Sequence, residues 1–203
     1  MGYGVGIYTV LTKLNINIRA LWVDNGDPPG HHFTNNPRLL FMPDIDPEFD
    51  PLEHRLAEPH FLEDLEVGQR FPAPSRTLGD GNFAAFQMAS LDNHPIHYDL
   101  EYCRRAGHPH LLAHGMQVLI QTAPGAGMLP HVLGENLLAM LEQSSKFLKP
   151  VYCGDTVYPN LEITELTPSN TTGVVTVRST VHNQHRELVM EGEQKLLVRK
   201  RPA

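Results

Sequence analysis

Two residues able to move protons stand five apart in Asp92-Asn93-His94-Pro95-Ile96-His97. Pro95 keeps the stretch from continuing as helix, because its ring disfavours helical geometry at His94. The chain between Asp92 and His97 must bend, and a bent loop can aim both side chains at one water. An Asp at a helix end feels the negative end of the helix dipole and becomes a better base. A histidine can donate to, or accept from, the same water near neutral pH. Shortly afterwards Ala113-His114-Gly115-Met116 opens an apolar run. Gly115 puts a backbone N–H at a helix start, where the field favours an anion, and its missing side chain permits close approach. A base, an acid and an oxyanion donor are what adding water to a double bond beside a carbonyl requires. The same residues also fit a plainer reading. Asp92-Asn-His-Pro is then an ordinary helix-stop turn, His97 a surface residue and Gly115 a packing feature.

The elements that position these residues are legible around them. Gly68 marks a turn, and Phe71 starts an extended piece toward Thr77. Asp80 or Asn82 can cap a helix carrying Phe83, Phe86 and Ser90. Asp99 caps a short helix over Leu100–Ala106, and Gly107 stops it. The run Gly115–Ala123 reads as a buried helix, with Met116, Val118, Leu119 and Ile120 leaving little polar surface. Pro124, Gly125 and Gly127 end or kink it. The rest alternates with period two. Val157, Leu161 and Ile163 share a face, as do Val175, Val177 and Val181, and then Leu188, Met190, Leu196 and Val198. Turns are expected at Pro168-Ser-Asn-Thr and His182-Asn-Gln-His. A buried helix followed by an antiparallel meander defines an α+β layer pair over residues 59–203. Residues 1–58, with Asp27-Pro-Pro-Gly and four further prolines, read as an irregular or partly disordered extension with a short strand near Ile7–Leu14.

A chain of 203 residues with 41% hydrophobic residues holds one domain with a sizeable core. A net charge of −7 argues against a nucleic-acid partner. No apolar run reaches the ~20 residues a membrane span needs. The two cysteines, Cys103 and Cys153, form no paired motif and point to a reducing compartment, with both as packing residues. The cytoplasm is the expected location, or the mitochondrial matrix in a eukaryote.

The motif Asp92-Asn-His-Pro-Ile-His97 followed by Ala113-His-Gly-Met116 resembles the MaoC-like family of (R)-specific enoyl-CoA hydratases. Glu63-Asp-Leu-Glu-Val-Gly68 and Lys146-Phe-Leu-Lys-Pro-Val-Tyr-Cys-Gly-Asp-Thr156 resemble that family too, so four blocks match in order over about residues 60–200. The resemblance implies a single hot-dog domain, an antiparallel sheet wrapped around a central helix, working as a homodimer or higher homo-oligomer. It implies reversible hydration of an enoyl thioester, of coenzyme A or an acyl carrier, to a 3-hydroxyacyl thioester. It places catalytic roles on Asp92 and His97 and an oxyanion donor at the Gly115 N–H, with His94, Pro95 and His114 supporting the loop. No metal or redox cofactor is implied, coenzyme A being part of the substrate. Two positions depart from the pattern. The family's Gly before the Asp is Leu91, and its Asn is His94, which can donate and accept at a different reach.

Three other functions compete. A hot-dog thioesterase would draw an acid from the central helix, but Gly115–Ala123 has only Gln117 and Gln121. A metal site could use histidines among 94, 97, 108, 110 and 114, but Pro95 denies His94 and His97 a shared helical face. His108, His110 and His131 read as surface loop residues and His114 as a hydrogen-bonded loop support. A non-catalytic acyl-thioester binder would keep the fold and lose turnover.

Overall fold

The computed structural model describes residues 46–202. The chain divides into two compact units, Met1–Glu53 and His54–Ala203. In the first, Asp46 and Asp50 each accept a backbone N–H two residues on, from Glu48 at 3.0 Å and Leu52 at 2.8 Å. These are the local turns that Asp favours. The strand expected near Ile7–Leu14 lies outside the described residues.

The second unit begins its sheet with two short strands, β1 (Arg70–Pro72) and β2 (Arg76–Thr77). Helix α1 (Asp80–Ser90) follows, then a 3-10 turn over Pro95–His97 and helix α2 (Leu100–Arg105). Helix α3 (Gly115–Leu119) runs into a 3-10 turn at Ile120–Thr122, and α4 spans Leu129–Leu133. Four long strands complete the chain: β3 (Leu137–Phe147), β4 (Thr156–Pro168), β5 (Thr172–Asn183) and β6 (Leu188–Arg199). The sheet is antiparallel in the order β1-β4-β5-β6-β3, with β2 also on β4. Strand β3 is therefore an edge.

One face of the sheet carries the core. Leu161, Ile163, Val175, Val177, Leu196 and Val198 pack with Leu129 and Leu133 of α4. Val157, Val181, Val189 and Met190 pack with Phe83 of α1 and Val118 of α3. Each such buried side chain stabilises by roughly 1.5–3 kcal/mol. No helix among the described residues is long and apolar enough to cross a membrane.

The caps match the local chemistry, with one change. Asp99 accepts the Tyr102 N–H at 2.9 Å, and Gly107 follows α2 at φ 84°. Helix α1 instead starts after Gly79, whose N–H donates to Asn82 Oδ1 at 3.1 Å; Asp80 is already helical.

Three expectations are corrected. First, α3 and the 3-10 turn that continues it bury Val118 but not Met116 or Ile120. Met116 and Ile120 are about half exposed, while Gln117 and Gln121 face the sheet. The Gln121 Nε2 donates to the Gln117 carbonyl at 3.0 Å, and Gln194 Nε2 of β6 donates to the Thr122 carbonyl at 2.8 Å. Buried glutamines thus satisfy carbonyls that a short helix leaves open. Second, the break expected at Pro124, Gly125 and Gly127 is present, but beyond it a separate helix, α4, forms with Pro130 in its first turn, where a missing N–H costs nothing. His131 consequently lies on a helix. Third, a register shift at Val181/His182 buries both Val189 and Met190 and interrupts the alternation of β6.

At Gly192 of β6 the backbone comes so close to β3 that a Cβ would land on the Ser144 carbonyl oxygen.

Candidate active site

Helix α1 ends because Leu91 turns left-handed, at φ 57° and ψ 16°, while its N–H still donates to the Gln87 carbonyl at 2.9 Å. That conformation is the reason a glycine suits this position. Leu91 bears the strain with its side chain 78% exposed, so little burial is at stake. Leu91→Gly is expected to stabilise the fold by about 0.5–1 kcal/mol, the relief of left-handed strain exceeding the entropy glycine adds to the unfolded chain. Thermal and urea unfolding would measure it; a drop in stability would remove this account of the turn.

The loop beyond Leu91 is held by its own polar atoms. Asp92 Oδ1 accepts the His94 N–H at 3.1 Å, and His94 Nδ1 accepts the Ile96 N–H at 3.3 Å. His94 thereby caps the 3-10 turn that Pro95 opens. Sequence reasoning missed further supports. Tyr98 Oη donates to the Asn93 carbonyl at 2.7 Å, and Cys103 Sγ to the Ile96 carbonyl at 3.0 Å.

The loop is also tied to the sheet end. Leu112 N–H donates to the Ile96 carbonyl at 3.0 Å, Ala113 N–H to Val151 at 2.8 Å, and Cys153 N–H to Leu111 at 2.9 Å. His97 Nδ1–H donates to the Leu112 carbonyl at 2.6 Å. A backbone carbonyl thus fixes the ring, and no residue type in the sequence signals that.

With Nδ1 committed, His97 presents Nε2 to Asp92 Oδ2 at 3.9 Å. His114 Nε2 lies 3.8 Å from the same oxygen. These gaps exceed a direct hydrogen bond and leave all three atoms able to face one water set beside them. The two imidazoles stack, centroids 3.5 Å apart and 20° from parallel, and Phe86 touches His114 at 4.9 Å. His114 is therefore not the hydrogen-bonded support expected. Neither of its ring nitrogens finds a hydrogen bond among the described residues, and it supports the loop through ring packing.

Asp92, His97 and His114 gather their ligand atoms within 4.8 Å. Cys153 is no thiolate nucleophile: burial, with Asp80 accepting from its thiol at 3.2 Å, pushes its pKa up to about 11.

The His94 N–H that Asp92 accepts holds the Asp92 carboxyl below its ordinary value of 3.8, against the opposing cost of desolvation. Burial lowers the His97 imidazole below 6.5; the Leu112 carbonyl opposes this, and His114 lowers it further. Near pH 7 the pair rests as a carboxylate and a neutral imidazole. Both groups bind protons less readily folded than unfolded. Their contribution to stability is present above the ordinary values and is lost as pH falls, first through His97 and then through Asp92.

Gly115 is the first residue of α3, and a Cβ there would come within 2.8 Å of the Phe147 ring. A cavity of about 420 Å³ opens beside it, lined by Ala113, Gly115, Val118, Phe147, Val151 and Val189. His108, His110 and His131 lie outside the Asp92–His97–His114 group. His108 instead meets Tyr152 Oη at 3.2 Å.

An antiparallel sheet with short helices on one face, and an Asp/His pair beside the N-terminus of the helix at Gly115, define a hot-dog α+β protein. A MaoC-like domain model matches residues 64–185, and the chain belongs to that family. It is 31% identical over 143 residues to the (R)-specific enoyl-CoA hydratase of Rhodospirillum rubrum, covering 68% of this chain and 92% of the relative. It is 28% identical over 122 residues to a mitochondrial 3-hydroxyacyl-[acyl-carrier-protein] dehydratase of Arabidopsis thaliana, covering 59% and 69%. Among solved structures it resembles Rv0216 of Mycobacterium tuberculosis, described as a double hotdog fold. The TM-score there is 0.60 and the identity 26%, covering 71% of this chain and 45% of that one.

Proposed function

We propose that the protein reversibly adds water across the C2=C3 bond of an enoyl thioester, of coenzyme A or an acyl carrier. The product is a 3-hydroxyacyl thioester. The observation that carries this reading is the shared focus of Asp92 Oδ2 and His97 Nε2, 3.9 Å apart, with His97 Nδ1 pinned by Leu112. A water between them is held by the Asp92 carboxylate and loses a proton to His97 Nε2 as its oxygen bonds to C3. Electrons move to the thioester oxygen, which the Gly115 N–H receives. The imidazolium, balanced by Asp92, returns the proton to C2. Dehydration runs the same steps backwards. The lining of the cavity beside Gly115 is mostly apolar, with Lys149 as its one charged side chain, and suits a hydrocarbon acyl part. The reading calls on no metal or redox cofactor, and coenzyme A enters with the substrate.

Because catalysis starts from neutral His97, the acid limb of kcat/KM is expected below pH 6.5, the ordinary imidazole value. A limb at or above that value would contradict the role given to His97.

A homodimer is part of the proposal. Strand β3 leaves Leu138, Met140 and Leu141 exposed at a sheet edge, and α3 and the 3-10 turn after it expose Met116 and Ile120. Such an edge suits a second copy. The cytoplasm is the proposed compartment, supported by two free cysteines.

The test is enoyl-thioester absorbance over time with purified full-length protein and a short trans-2-enoyl-CoA, beside a free-thiol assay. Loss of absorbance without thiol release is expected. Thiol release would favour the thioesterase. Silence with short, branched and dicarboxylic enoyl-CoAs would favour the binder.

A further inference from the structure

We propose that His114 is a positioning residue, a second imidazole that shares the Asp92 carboxylate with His97 so that only one of the two rings carries charge. This rests on the hydration reading above. His114 is 5% exposed, and both its ring nitrogens lack a hydrogen-bond partner among the described residues. A buried imidazole without a partner is costly unless something polar uses it. The polar atom it faces is Asp92 Oδ2, at 3.8 Å, the oxygen that also faces His97 at 3.9 Å.

The geometry ties the two rings together. Stacked 3.5 Å apart, two imidazoliums would repel strongly in a half-buried site. One proton can be held there, balanced by one carboxylate. When the water loses its proton to His97, His114 Nε2 still faces Asp92 Oδ2 at 3.8 Å and holds the carboxylate in place. The groups facing the pair are few. His94 and Asp92 come from the loop, and the backbone carbonyl of Leu112 fixes His97. Phe86 from α1 contacts His114 and is uncharged. The depressed affinity of His97 for protons, to which His114 contributes, agrees with this arrangement.

The test uses the full chain with His114→Phe, which keeps a stacked ring and removes both nitrogens, and with His114→Gln. Two readouts are taken. The first is the pH profile of kcat and KM for enoyl-CoA hydration. The second is the titration of the His97 ring by NMR, which needs no substrate. In His114→Phe we expect kcat to fall about tenfold or more with KM nearly unchanged, and the acid limb to move to higher pH. The His97 midpoint should rise in parallel. An unchanged His97 midpoint in a folded variant, Phe or Gln, overturns the proposal, and so does an unchanged kcat profile. A parent without hydration activity overturns the hydration reading alone, and the titration then decides whether the two rings share one charge.

Discussion

Asp92→Asn and His97→Ala are each expected to lower kcat for enoyl-thioester hydration by about 10²-fold or more. An asparagine in place of Asp92 would still accept the His94 N–H but would carry no charge to balance an imidazolium. An alanine in place of His97 would leave the water with no base and the Leu112 carbonyl with no imidazole donor. Asp92 is half exposed, so Asp92→Asn should melt close to the parent. The His97 side chain is only 12% exposed and stacks on His114, so His97→Ala should melt lower as well as lose turnover. Parallel measurement of turnover and thermal unfolding separates the roles. Activity within about threefold of the parent in either folded variant would take the acid/base work away from this pair.

Gly192→Ala is expected to destabilise the fold by about 1–3 kcal/mol, in the range of forced overpacking. The added methyl would meet the backbone carbonyl of Ser144 and lie 3.1 Å from Ser179 Oγ. A carbonyl in a paired strand cannot swing aside as a side-chain tip can, so β3 must move away from β6. Chemical unfolding would show a lower midpoint. An unchanged midpoint would mean that β3 shifts at little cost.

The loop chemistry was legible because it is local. Pro95 keeps His94 out of α-helical geometry, Asp99 caps the next helix, and Gly107 stops it, whatever the rest of the chain does. The long strands were legible because alternation reports burial directly. The direction of α3 was not. Met116 and Ile120, and likewise Gln117 and Gln121, are spaced four apart, so each pair shares a helix face. Composition alone does not say which face meets the sheet. The outcome turned on Gln194, distant in sequence, which donates to the Thr122 carbonyl. His114 was placed near the site, but its stacking on His97 depends on how segment 111–113 pairs with 151–153. That pairing is long-range and leaves no periodic trace. The left-handed turn at Leu91 was concealed for a simpler reason: a leucine does not advertise it.

The edge position of β3 has a kinetic signature. In an antiparallel pair alternate residues point their amides at the neighbouring strand. Over Glu142–Phe147, where the pairing to β6 runs without a register shift, about half the amides thus bond to β6 and the others face away from it. In a lone chain, deuterium should enter the strand in a two-beat pattern, slow then fast, residue by residue. A second strand laid against the edge would slow the fast set. That slowing would fade on dilution, so the concentration at which the pattern returns would report the affinity between copies.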